Sequence, residues 1–159
     1  MKSPNRIPFG GGRYDWLPQW FDQSETRDGA RVITIASEGE VVPVPLVLRL
    51  GGRISGTITD ARFQGATHLV YFTSADDPRA LGFTFDRPGA GAGDPDTFTV
   101  RGLFDGDYKV GVWRRTTSEF PDQPRPGAVW YSGTEAWDDA QVISIRDLEV
   151  ASGIDFVLP

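Results

Sequence analysis

A single imidazole, His68, is available for acid–base work in a chain without cysteine. Nucleophilic hydrolysis needs a base beside its nucleophile, held in turn by an orienting group. His68 instead opens the run His68-Leu69-Val70-Tyr71-Phe72-Thr73, which reads as a β-strand. Either His68, Val70 and Phe72 face inward or Leu69, Tyr71 and Thr73 do. In both phases the histidine is a strand residue, on the surface or satisfied in the core, and no catalytic residue is assigned. One histidine and no cysteine also exclude a zinc site, which needs several such ligands. Carboxylates come in pairs: Asp76 with Asp77, Asp94 with Asp96, Asp105 with Asp107, and Asp138 with Asp139. Glycosidase carboxylates need a cleft between elements, which a small all-β domain seldom provides. The pairs at 94–96 and 105–107 make a calcium site only if their loops converge, and their spacing is not that of an EF-hand. They are read as turn formers, and no metal or cofactor is expected. The aromatic residues carry the one functional lead. A planar set of exposed tryptophans would stack on sugar rings; Trp113, Trp137 and Trp16 are the candidate carbohydrate contacts. Arg114 and Arg115 beside Trp113 form either a cation–π cluster or a solvated strand end.

Composition narrows the partners. A net charge of -6 speaks against a phosphate-binding surface, and with only two lysines, Lys2 and Lys109, no polybasic membrane patch is expected. No stretch approaches the roughly 20 apolar residues of a membrane span. Nucleic acid and membrane insertion are therefore not expected. Met1–Pro8 lacks the apolar core of a signal peptide. The protein is then either cytoplasmic or begins downstream of its export signal.

Chemistry aside, the elements that must position these residues are short and all-β. Glycine, proline, valine, isoleucine, threonine and aromatic residues are abundant, and no long window keeps an apolar helical period. Alternation predicts strands near 31–36, 43–50, 53–59, 68–74, 81–86, 96–101, 107–114, 128–131, 141–145 and 153–158. Ile54/Gly56/Ile58, Phe98/Val100, Tyr108/Val110/Val112 and Ile154/Phe156/Leu158 each share a face, and would fill a core between two sheets. The segment around Glu135–Asp139 is a turn. Residues 87–95 form a Gly/Pro-rich mobile connection, and 116–127 a proline-rich surface excursion.

Residues 20–48 recur without a gap at 130–158, with 9 of the 29 paired positions identical. Trp20-Phe21 returns as Trp130-Tyr131, Asp28-x-Ala30-x-Val32-Ile33-x-Ile35 as Asp138-x-Ala140-x-Val142-Ile143-x-Ile145, and Val44-x-Leu46-Val47-Leu48 as Ile154-x-Phe156-Val157-Leu158. The recurrence of Trp20 and Trp130 favours a structural, packing role for both. A period near 110 residues is that of one small all-β domain, not of a solenoid unit. Residues 1–50 then carry the last two strands of a first copy and 51–159 one complete copy, with Gly51-Gly52 as the boundary. Two isolated strands would expose edges and an apolar face. N-terminal truncation of a longer protein is the favoured explanation; packing onto the second domain's sheet and completion by another chain are the alternatives.

The second unit opens with Arg53-Ile54-Ser55-Gly56-Thr57-Ile58. It continues through Phe98-Thr99-Val100-Arg101-Gly102-Leu103-Phe104-Asp105-Gly106-Asp107-Tyr108 and closes with Asp155-Phe156-Val157-Leu158. This order resembles the carboxypeptidase regulatory-like domains and the B-type repeats of bacterial surface adhesins, across essentially all of 52–159. Leu103 and Tyr108 would flank a tight turn with Gly106 free to take positive φ. The tyrosine hydroxyl would then bond to backbone, as in the tyrosine corner of sandwich folds. Residues 61–66 lack the family's proline-containing turn, and the insertion at 87–95 is atypical. The resemblance implies a Greek-key, immunoglobulin-like or prealbumin-like β-sandwich. It also implies a non-catalytic spacer or accessory role, in the extracellular space, periplasm or cell envelope of a bacterium. The partners would be neighbouring domains of the same polypeptide, with polysaccharide as the alternative; fold alone does not fix function.

Overall fold

The computed structural model describes residues 15–17, 19–61, 67–85, 94–115 and 126–158. The greater part of the expected connections at 61–66, 87–95 and 116–127 lies outside them. The described chain is all-β. In order come β1 (Gly52–Asp60), β2 (His68–Ser74), β3 (Asp77–Phe85), β4 (Asp96–Leu103) and β5 (Gly106–Arg114). They are followed by the short β6 (Val129–Trp130), β7 (Ile143–Ile145), β8 (Val150–Ala151) and β9 (Phe156–Leu158). Two sheets result. In one, β4 pairs antiparallel with β1, while β8 and β9 follow one another along β1's other edge in parallel. In the other the order is β3-β2-β5, with β6 and β7 sharing the free edge of β5.

Alternation explains why these sheets pack on each other. Ile54, Ile58, Phe98, Val100, Ile154, Phe156 and Leu158 of the first sheet meet Val70, Phe72, Tyr108, Val110, Val112, Ile143 and Ile145 of the second in one core. Each of these side chains is buried, and the period of two leaves the intervening residues on the outer faces. β2 is buried on both faces, because Leu69 and Tyr71 sit in a second cluster on the outer side. The two alternation phases read for His68–Thr73 are thus both inward.

Two sequence expectations change. Residues 153–158 do not form one strand. Gly153 turns left-handed at φ 76°, Ile154 N–H donates to the Ser55 carbonyl at 3.2 Å, and pairing resumes only at Phe156. Asp155 fills the break by accepting from the Thr57 N–H at 3.0 Å and the Thr57 hydroxyl at 2.8 Å. Gly56 lies under this crossing; a Cβ there would run into the Ile154 carbonyl.

The strands read at 31–36 and 43–50 are the larger correction. Among the described residues, 31–49 join no strand, and Leu50 makes only an isolated bridge to Trp16. No described strand edge lies alongside them, and a strand is defined by its partner. The segment 49–51 is instead held by Asp15–Leu17: Leu17 N–H donates to the Arg49 carbonyl and Gly51 N–H to the Asp15 carbonyl, each at 2.8 Å. Asp15 Oδ1 also takes Arg53 and Arg101 at 2.9 Å.

Candidate functional site

The outer face of β3-β2-β5 is where the sequence places most of its aromatic rings. Register sets Phe85, Leu69 and Trp113 in one row and Phe83, Tyr71 and Gly111 in the next. Trp130 of β6 pairs with Gly111 and lays its six-membered ring on it; a Cβ at Gly111 would lie 2.8 Å from that ring. Trp130 is thereby buried, which is the packing role its recurrence suggested, whereas Trp20, expected to pack likewise, is exposed. Phe83, Phe85, Trp113 and Trp137 flank this cluster half-buried. The structure therefore brings Trp113 and Trp137 to one face. Trp16 is elsewhere, exposed in its bridge to Leu50 beside the start of β1.

Trp137 is more constrained than a free stacking ring. Its Nε1–H donates to Thr73 Oγ1 at 2.9 Å, and the Lys109 ammonium sits 4.0 Å from its ring centroid. Lys109 is buried, and its Nζ also donates to the carbonyls of Trp137 (2.8 Å) and Asp138 (3.1 Å). One lysine thus clamps the 131–140 loop to the outer face through two hydrogen bonds and a cation–π contact. Sequence reading passed over it, although the strict alternation of Tyr108, Val110 and Val112 already placed Lys109 on the aromatic side. Arg115 does lie over Phe85, at 5.6 Å, whereas Arg114 turns into the core end.

That core end holds the only histidine. The end of β1, the starts of β2 and β4 and the end of β5 converge there. His68 Nε2 lies 3.1 Å from Asp60 Oδ2, and Nδ1 lies 3.3 Å from Asp96 Oδ2. Arg114 binds Asp60 in a fork, at 2.6 Å through Nε and 3.2 Å through Nη2. His68 has no exposed surface and Asp60 almost none. The histidine is a satisfied core residue rather than a base that a substrate could reach.

Of the paired carboxylates, Asp77 serves a turn, while Asp96 and Asp107 bind side chains of other strands or loops. Asp77 accepts the Arg79 N–H at 2.9 Å, and the Ser74 hydroxyl accepts the Asp76 N–H at 3.3 Å. Asp96 and Asp105 lie at opposite ends of β4, so the 94–96 and 105–107 pairs cannot share an ion. Asp107 instead joins β5 to β7. It accepts the Ser144 hydroxyl at 2.6 Å and Arg146 Nη2 at 2.7 Å. These two, the Ser144 bond first, hold its carboxyl below the usual range. Asp15 is lowered in the same way, by Arg101 first and then Arg53. Because each folded-state pKa is depressed, these groups add stability above the unfolded carboxylate pKa and lose it as pH falls through the folded one. An NMR titration should place Asp107 below the ordinary aspartate value, and Ser144→Ala should raise its midpoint towards that value. An unmoved midpoint would refute the assignment of cause.

The expected corner is present, with one difference. Leu103 and Tyr108 are buried, and the Tyr108 hydroxyl donates to the Phe104 carbonyl at 2.8 Å. The left-handed residue is Gly102, at φ 68°, and not Gly106. Nearby, an open cleft of about 430 Å³ separates Leu17, Glu25 and Arg49 from Phe104, Asp105 and the turn Asp147-Leu148. Three carboxylates, Glu25, Asp105 and Asp147, and the Arg49 guanidinium line it.

The sequence repeat reappears as local geometry. Trp20 N–H donates to the Ser24 carbonyl at 2.8 Å, and Trp130 N–H to the Thr134 carbonyl at 2.7 Å. Asp22 and Gln23 are left-handed, as are Ser132 and Gly133. The Ser24 hydroxyl accepts from Thr26 N–H at 3.2 Å, and the Thr134 hydroxyl from Ala136 N–H at 3.1 Å. Ala30 and Ala140 each donate to the carbonyl three residues back. Comparison with known family models, curated proteins and solved structures returns no match.

Proposed function

We propose that this chain is a non-catalytic β-sandwich module of a multi-domain repeat protein. In this reading it is a spacer or accessory domain of the extracellular space or cell envelope, and its partners are neighbouring domains. The observation that carries this reading is the conformational identity of 20–30 with 130–140. Two stretches separated by a whole domain share hydrogen bonds, hydroxyl turns and left-handed pairs, which is what tandem copies of one unit produce. The Greek-key, prealbumin-like type is part of the same proposal. Chain crossings between sheets after β1, β3, β4 and β7, together with the Tyr108 corner, support it. The direct connection through Gly51 into β1 would hold adjacent units close, so that the module works by spacing and orientation.

A second reading, polysaccharide binding, has one observation in its favour. Phe83, Phe85, Trp113 and Trp137 lie half-buried on one sheet face. Against it, Trp137 already spends its N–H on Thr73 and its ring on Lys109. Affinity gels containing single glycans separate the two. The spacer reading predicts unretarded migration, and tryptophan fluorescence that no polysaccharide changes. Retardation on one glycan that Trp113→Ala or Trp137→Ala abolishes would reject the spacer reading.

A further inference from the structure

Residues 31–48 have the sequence of a closing segment but join no strand among the described residues. In the second copy, 140–158 supplies β7, β8 and β9. There Ile143, Ile145, Ile154, Phe156 and Leu158 are all buried, and Trp130 rests on Gly111. The first-copy counterparts Ile33, Ile35, Val44, Leu46, Leu48 and Trp20 are all exposed, Ile35 at 58% against 0% for Ile145 and Leu46 at 65% against 2% for Phe156. The outward positions agree as well: Val32 and Val47 are exposed, as are Val142 and Val157. Both segments thus carry the same inside–outside pattern, but only one has its inside covered.

The arm cannot fill the matching groove of its own sandwich. In that groove Leu158 pairs with Asp60 and Phe156 with Ile58, so Leu48 would have to lie beside Asp60. Gly52 is at the opposite end of β1, about 26 Å away at the usual strand rise. The four residues from Leu48 to Gly52 span at most about 14 Å. The bridge of Trp16 to Leu50 fixes the base of the arm at that opposite end.

We infer that residues 20–48 close a different sandwich of this same architecture, one whose own closing strands are absent. Such a partner offers three features, each visible here around 130–158. It has a β1-like edge open to parallel addition, a β5-like strand whose free edge accepts Ile33–Ile35, and a glycine beneath the Trp20 ring. Covering the six exposed side chains removes roughly 500 Å² of apolar surface from the arm alone, most of the roughly 800 Å² per partner in a standard interface. Backbone pairing of the kind used in strand addition completes the contact. A partner of this kind presupposes the modular role proposed above. Because assembly rather than glycan retention is read, either can fail alone.

The unmodified chain fills its own groove with 140–158, so light scattering should give a monomer. The probe is the full chain with its closing segment disabled by Ile145→Asp plus Phe156→Asp. At rising concentration this variant should assemble head to tail, with at least twice the monomer mass and recovered β-sheet circular dichroism. Adding Ile35→Asp plus Leu46→Asp to the arm should abolish assembly. A synthetic peptide of residues 30–48 should cap the open groove and return the disabled variant to monomer. Where the disabled variant does not assemble, a full chain with 140–158 replaced by residues 30–48 decides: a cooperative thermal transition supports the inference, and its absence overturns it. Arm-dependent dimers of the unmodified chain would equally overturn the requirement for an open groove.

Discussion

Asp60→Ala should cost the fold about 3–5 kcal/mol, the penalty for removing one member of a buried ion pair. Asp60 is only 2% exposed, and its carboxylate serves Arg114 through both oxygens and His68 through one. Truncation takes this carboxylate from the partly buried guanidinium and from the buried imidazole, which still faces Asp96. Asp60→Asn retains an acceptor oxygen but no charge, and should fall between wild type and alanine. Arg114→Met combined with Asp60→Ala should cost clearly less than the sum of the single changes, since each removes the other's reason for being there. Urea denaturation of the wild type, the three single variants (Asp60→Ala, Asp60→Asn, Arg114→Met) and the double variant measures this directly. An Asp60→Ala loss within about 0.5 kcal/mol, the scale of an ordinary surface change, would show that the cluster is peripheral.

This cluster was not legible in the sequence, and the reason is physical. Asp96 and Arg114 lie far along the chain from Asp60 and His68, and only the register of four strands brings the four together. Alternation states which way a residue points, not what waits there. For Ile54, Ile58, Val110 and Phe156 that direction was enough, because any apolar neighbour satisfies an apolar side chain. The Tyr108 corner was readable because its partner, the Phe104 carbonyl, is local. Its left-handed glycine was misplaced because Gly102 and Gly106 both border the turn, and composition cannot choose between them. Trp113 and Trp137 could be recognised as unusual but not as neighbours. The Lys109 clamp on Trp137 depends on how a loop folds back over a sheet face. The strands at 31–36 and 43–50 show the opposite failure. Their pattern is sound, yet a pattern specifies a strand only when an edge is there to receive it.

That contrast yields the second large effect, a pair of identical substitutions at equivalent positions. Ile145→Ala should destabilise the isolated chain by about 2–5 kcal/mol, because Ile145 has no exposed surface, packs against Gly52 in the shared core, and leaves a cavity there when truncated. Ile35→Ala, at the same place in the repeat, should change stability by no more than about 0.5 kcal/mol, because most of its side chain is already in water. Thermal or urea denaturation of the two variants tests this, and equal losses would mean that the arm is packed in the monomer. The asymmetry should vanish in the head-to-tail assembly. There Ile35 of one molecule occupies the site of Ile145 in the next, and its truncation acquires the same cavity cost. A side chain indifferent to the monomer but essential to the assembly is the expected mark of a segment whose core lies in another domain.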